Sequence, residues 1–154
     1  EVNQFASVNL VEVIRNSISL IEMVNKKKTI SIVNRITDSS LMLQGNRSQL
    51  EQVLVNILQN AVDAMDKPGK IEIYKQESVP GQFKLMIQDS GIGMSAEHQQ
   101  KIFKMFFTNK SGNKGTGLGL FICKEIVEKH GGSIQLESEL NKGTKVSLYF
   151  KLMQ

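Results

Sequence analysis

The stretch NRSQLEQVLVNILQNAVDAM, residues 46–65, decides how the rest of the chain is read. Leu50, Val53, Leu54, Ile57, Leu58, Ala61, Val62 and Met65 recur at spacings of three and four, the period of one buried helix face. Asn46 can cap the first turn, and Pro68–Gly69 ends the pattern. At about 100° per residue, Asn56, Asn60 and Asp63 fall within roughly 60° of each other, beside the apolar face. Carboxamide oxygens are hard, neutral ligands that suit Mg²⁺. On this helix alone, a solvent-facing polar stripe is the simpler reading.

Working outward, residues 9–25 place Leu10, Val13, Ile14, Ile18, Ile21 and Val24 at helical spacing, with Asn9 as N-cap. Lys26, Lys27 and Lys28 close that helix, where cations suit the dipole. Residues 29–36 read as a strand, residues 41–43 as a very short one, and Gln44–Gly45 as a turn. Residues 71–77 and 83–88 alternate around Pro80–Gly81 and read as a hairpin. Residues 95–103 suit a short helix capped by Ser95. Residues 104–116 have few periodic apolar positions and read as a mobile loop of about a dozen residues, longer than an ordinary connection. Residues 118–129 read as an apolar helix stopped by Gly131–Gly132. Residues 133–137 and 144–150 form a closing hairpin through Asn141–Lys142–Gly143. Hairpin pairs separated by helices predict an α+β, two-layer sandwich: a mixed sheet of about five strands covered on one face by three helices.

With 154 residues the chain is sized for one domain with its own core. At 40% hydrophobic and 22% charged residues, it is neither disordered nor collagen-like. No run of about 18 apolar residues is present to span a bilayer. The opening EVNQFASVNL lacks the basic start of a signal peptide, and the missing initial Met suggests a piece cut from a longer protein. The single cysteine, Cys123, excludes an internal disulfide and a cysteine-rich zinc site; it reads as a small buried apolar residue in a reducing compartment. His98 and His130 are too few and too distant for an obvious metal site. The net charge of +4 fits a phosphate-bearing ligand, and the lack of Trp with only two Tyr argues against nucleic acid.

Two further motifs carry chemistry. DSGIGM, residues 89–94, follows a strand directly. Its glycines allow close backbone approach, and Asp89 can accept a hydrogen bond from an exocyclic amine. GTGLGL, residues 115–120, leads into a helix, and glycines before a helix N-terminus make a phosphate cradle. The pattern is neither a P-loop nor the dinucleotide-binding fingerprint. Each motif alone is weak, and their joint order is what carries the reading.

In that order the sequence resembles the catalytic and ATP-binding domain of sensor histidine kinases, within the GHKL superfamily. The likeness runs from about Leu10 to Phe150. QVLVNILQNAVDAM at 52–65 resembles the family's N box, 89–94 its first glycine box, FKMFFTNK at 103–110 its F box, and 115–120 its second glycine box. Gly143–Thr144 matches a late Gly-Thr before the last strand. The wording of the N and F boxes is most similar to the nitrogen-regulation and sporulation kinases.

That resemblance implies ATP and Mg²⁺ as ligands, with Asn56, Asn60 and Lys110 as the catalytic set. Asn60 would hold the metal, Asn56 and Asp63 would lie near the phosphates, and Lys110 would reach a phosphate from a lid. Asp89 would bond the adenine amine with Thr144 in support, against a backbone freed by Gly91 and Gly93. Ile92, Met94 and Ile102 would wall the base. Gly115, Thr116, Gly117, Leu118 and Gly119 would wrap the triphosphate, and Phe106 and Phe107 would anchor the lid. The implied partners are ATP or ADP, an upstream histidine-bearing dimerisation domain of the same parent, and a response regulator reached through it. The parent would be a homodimer and the isolated domain a monomer, placed in the cytoplasm with or without a membrane anchor on the parent. Residues 1–8 would be a remnant of the connection and 9–152 the catalytic domain. Neither His98 nor His130 has the context of a phosphoacceptor. The rival classes, an ATPase of the same superfamily and an anti-sigma serine kinase, carry a water-activating glutamate where this chain has Asn56.

Overall fold

The computed structural model describes residues 4–76, 78–104 and 119–153. In chain order the elements are β1 (Ala6–Asn9), α1 (Leu10–Val24), β2 (Ile30–Asn34), β3 (Met42–Gly45), α2 (Arg47–Asp63), β4 (Gly69–Gln76), β5 (Gln82–Asp89), α3 (Ala96–Lys101), α4 (Gly119–Lys129), β6 (Ser133–Glu139) and β7 (Gly143–Lys151). Three helices start on side chains that the sequence offers as caps. Asn9 accepts from the Val11 amide, Asn46 from Gln49 and Ser95 from His98. Each satisfies a backbone donor that a helix N-terminus would otherwise leave unpaired.

The main sheet has the order β2-β4-β5-β7-β6. All its pairs are antiparallel except β2 with β4, which is parallel because β3 and α2 intervene as the crossover. Helix α2 packs between α1 and α4 and against β5, and α4 reaches β6. The expected two-layer α+β sandwich with a five-stranded mixed sheet is therefore what forms. The register lays inward side chains in rows across strands. Leu85, Leu148 and Ile134 make one row, and Ile73, Ile87, Val146 and Leu136 make the next. Leu85 and Leu148 are fully buried. Burial of that kind contributes about 1.5–3 kcal/mol per side chain. The other sheet face carries Lys84, Gln88, Lys145, Ser147 and Tyr149, with the Lys84 ammonium over the Tyr149 ring.

One expectation changes. Gln44 and Gly45 are not a turn but the end of β3, because β1 pairs with them: Ser7 faces Gln44 and Ala6 faces Gly45. Residues 6–9 thereby form a strand, with Val8 buried. The expected loop beyond residue 104, and with it residues 105–118, lies outside the described residues. Cys123 is fully buried, its Sγ 3.7 Å from the Val53 carbonyl. Burial pushes its thiol up to about 12, with a hydrogen bond from Asn56 working the other way.

Candidate functional site

The inward rows of the sheet are apolar until the last. There Ile71 is followed across the strands by Asp89, Thr144 and Ser138. These polar residues lie on the helix-facing side, continuing Ile87, Val146 and Leu136 by one step of two. Asp89 is only 8% exposed, and burial raises its pKa above the ordinary carboxylate value. Backbone N–H groups of Gly91 and Thr144 oppose that shift, the former at 2.8 Å from Oδ1. A buried carboxylate held by backbone donors at the end of a strand is a fixed acceptor.

The loop after β5 is fastened on both sides. The Ile92 N–H donates to the Ala64 carbonyl at the end of α2 (2.9 Å), and the Ile92 carbonyl accepts from Asn141 N–H (2.7 Å). The Met94 N–H donates to Ser138 Oγ at 2.8 Å. A Cβ at Gly91 would sit 2.6 Å from the Ala64 oxygen. Gly93 has φ of +71° and lies against the Glu139 carbonyl, so a side chain there would be both strained and obstructed. The two glycines thus let the loop press onto α2 and the β6–β7 turn. Ile92 projects at 47% exposure, Met94 is half-buried and Ile102 is buried.

Asn56, Asn60 and Asp63 are half-buried along α2, the helix whose end holds that loop. Asn56 turns toward Cys123 on α4. Asp63 Oδ1 accepts from Gln59 Nε2 at 2.9 Å, and Gln59 exchanges amide hydrogen bonds with Asn25 at the end of α1. Among the described residues no group of three or more His, Cys, Asp and Glu could hold a metal. The donor set nevertheless fits Mg²⁺, which binds through few protein oxygens and completes its shell with phosphates and water. A carboxamide oxygen on Asn60 meets that need. Gly119 starts α4, whereas Lys110, Gly115, Thr116, Gly117 and Leu118, like Phe106 and Phe107, lie outside the described residues. The structure thus brings together Asp89, Gly91, Ile92, Gly93, Met94 and Thr144, and joins them to α2 through Ala64.

Two residues that the motifs do not contain complete the loop. Ser138 Oγ meets the Met94 amide, the Gly143 carbonyl and the Thr144 hydroxyl. Gln99 Nε2 donates to the Met94 and Ser138 carbonyls at 3.1 and 2.8 Å. A signal for Ser138 exists: Ile134, Leu136 and Ser138 share one strand face, and only the last is polar. His130 is also accounted for. Its Nε2 accepts from the Asn46 N–H at 3.0 Å, its Nδ1 donates to the Ile126 carbonyl at 2.8 Å, and Phe5 stacks on the ring. Burial lowers its pKa. With both nitrogens engaged, it is a structural joint between α2 and α4.

Comparison with known proteins gives a consistent result. Residues 45–154 match the family model described as histidine kinase-, DNA gyrase B-, and HSP90-like ATPase. The sensor histidine kinase ZraS of Klebsiella oxytoca is 38% identical over 146 residues, which is 95% of this chain but 31% of that relative. The chain therefore spans about a third of the length of that curated relative. The nucleotide-free catalytic domain of histidine kinase ThkA superposes with a TM-score of 0.83 at 34% identity, covering 96% of this chain and 95% of that one. ThkA in complex with the response regulator protein TrrA gives 0.79 at 30% identity, covering 97% of this chain and 42% of that one.

Proposed function

The chain belongs to the histidine kinase-, DNA gyrase B- and HSP90-like ATPase family, and on that premise we propose that it is the ATP-binding catalytic domain of a sensor histidine kinase, which passes the γ-phosphate of ATP to a histidine on a separate dimerisation domain. The observation that carries this reading is the polar end of the sheet. Asp89 and Thr144 form an acceptor floor beneath a loop fastened to α2, the helix that bears Asn56 and Asn60.

In this reading Asp89 takes the adenine amino group, with Thr144 beside it, and Ile92 and Met94 close over the base. Asn60 would hold Mg²⁺, which would neutralise phosphate charge there. Asn56 and Asp63 lie near the phosphates. Lys110 and the run Gly115, Thr116, Gly117, Leu118 and Gly119 wrap the triphosphate ahead of the dipole of α4. The incoming histidine nitrogen bonds to the γ-phosphorus, the bond to the β–γ bridging oxygen breaks, and ADP leaves. The response regulator then takes the phosphoryl group from that histidine, as the complex of ThkA with TrrA suggests.

Transfer is favoured over hydrolysis. The position that bears a general base in the hydrolytic rivals is Asn56, which cannot accept a proton. Glu51 lies near the start of α2, 3.6 Å from Arg47 and far around the helix. His130 has no free nitrogen to accept phosphate. Incubation with labelled ATP and an added histidine-bearing dimerisation domain tests the reading. Acid-labile label on the added histidine, with none on the chain and only background phosphate release, is the expected outcome. Label on His98 or His130, or sustained phosphate release by the chain alone, refutes it. Asn60→Ala is expected to retain the fold in a thermal melt and lose the effect of Mg²⁺ on ATP affinity; tight binding still enhanced by Mg²⁺ removes the metal assignment.

A further inference from the structure

Ser138 lies outside the four boxes and the late Gly-Thr, yet it stands in the same inward row as Asp89 and Thr144. Its hydroxyl oxygen has three partners: the Met94 N–H at 2.8 Å, the Gly143 carbonyl at 3.0 Å and Thr144 Oγ1 at 2.8 Å. A serine hydroxyl has one proton and two lone pairs. The Gly143 carbonyl can only accept, so the serine proton goes there. The Met94 amide takes one lone pair. The remaining contact must then run from Thr144 to Ser138, with the threonine as donor. Ser138 is thereby saturated, and the one proton that Thr144 Oγ1 owns is turned away from Asp89.

We propose that Ser138 is a positioning residue that fixes the hydrogen-bond polarity of the base pocket, making Thr144 present only lone pairs beside the acceptor Asp89. The proposal rests on the reading of Asp89 and Thr144 as the adenine pocket. A floor of two acceptors takes an amino group, directly or through water, and rejects a carbonyl in the same place. Without Ser138 Oγ the Thr144 hydroxyl regains its rotation and can donate, so a 6-oxo purine gains a partner. Ser138 also holds the Met94 amide, which ties the same residue to the loop above the base.

The test compares ATP with ITP, in which an oxo group replaces the 6-amino group and N1 carries a proton. Affinities are measured by titration with Mg²⁺ on the chain and on Ser138→Ala, with thermal melts of both. The chain is expected to prefer ATP, and Ser138→Ala to narrow that preference roughly tenfold, the scale of one mispaired buried polar group, chiefly through tighter ITP binding. Thr144→Val is expected to weaken ATP without improving ITP, and adding Ser138→Ala to it should leave the ATP:ITP ratio where Thr144→Val put it. A ratio unchanged in Ser138→Ala, with both nucleotides weakened alike, overturns the proposal and leaves Ser138 as a strut for the loop. Equal affinity of the unaltered chain for ATP and ITP overturns it as well. Failure of the unaltered chain to bind either nucleotide strikes the adenine reading itself. If Ser138→Ala does not fold, Ser138→Cys, which is somewhat larger but keeps a weak donor and acceptor at the site, weakens all three contacts, and its ratio is read the same way.

Discussion

The two ends of the helix-facing side of the sheet are built to opposite rules. At one end Leu85, Leu148 and Ile134 meet across three strands, and nothing there needs a specific partner. At the other end the same strands contribute Asp89, Thr144 and Ser138, and the two hydroxyls must each find a donor or acceptor at a fixed angle. Dispersion and burial are non-directional, so the first end tolerates small shifts. Buried polar groups are costly unless every one is paired, so the second end specifies a geometry. A domain with both can hold its shape at one end while keeping a binding surface poised at the other.

The comparison is most easily broken from the apolar end. Leu148→Ala is expected to cost about 2–5 kcal/mol in a urea melt, because it opens a cavity in a fully buried row. Nucleotide preference should stay unchanged while the variant is folded. Asp89→Asn should do the reverse. ATP binding is expected to weaken by about 1–3 kcal/mol in a titration, the cost of an unpaired buried polar group. The fold should not suffer at neutral pH. Burial raises the folded-state pKa of Asp89, so its contribution to stability is present below the unfolded carboxylate value and lost as pH rises through the folded value. Removing the charge lifts that cost, and Asp89→Asn should melt no lower than its parent at pH 7, with its relative advantage shrinking in acid.

Gly93→Ala sharpens the contrast in the loop. Its positive φ and the Glu139 carbonyl against it predict a loss of about 1–3 kcal/mol, together with weaker nucleotide binding as the loop lifts. The smallest effect belongs to His130. Burial lowers its folded-state pKa, so its contribution is present above the unfolded histidine value and lost as pH falls through the folded value. Protonation would put a cation and a second donor against the Asn46 N–H at the start of α2. Melting temperature should therefore decline from neutral toward mildly acidic pH, and His130→Gln should flatten that slope.

Much of this was legible in the chain because it is local. Asn9, Asn46 and Ser95 cap the helices they precede, and the alternation around Pro80–Gly81 makes the hairpin it describes. What a strand pairs with is not local. Residues 6–9 are a short stretch, only half of it apolar, and their significance depends on a partner at 42–45 brought back by α1. Without that partner Gln44–Gly45 reads as a turn, and with it as the end of a strand. The site divides along the same line. Asp89, Gly91 and Gly93 announce themselves within six residues of chain. Ser138 becomes meaningful only once the register sets it beside Thr144, and Gln99 only once α3 lies against β6.

The buried thiol between α2 and α4 gives the molecule an internal stopwatch. Only a thiolate reacts with alkylating reagents, and a thiol held at about 12 with no access to solvent is silent while the helices stay together. Each modification of Cys123 must then wait for an opening that parts the Val53 carbonyl from α4. The labelling rate in native conditions, divided by that of an unfolded chain, counts how often those two helices separate. Because α2 carries Asn56 and Asn60 and α4 begins at Gly119, the proposed site predicts a slower count with nucleotide present, read with no probe added to the protein.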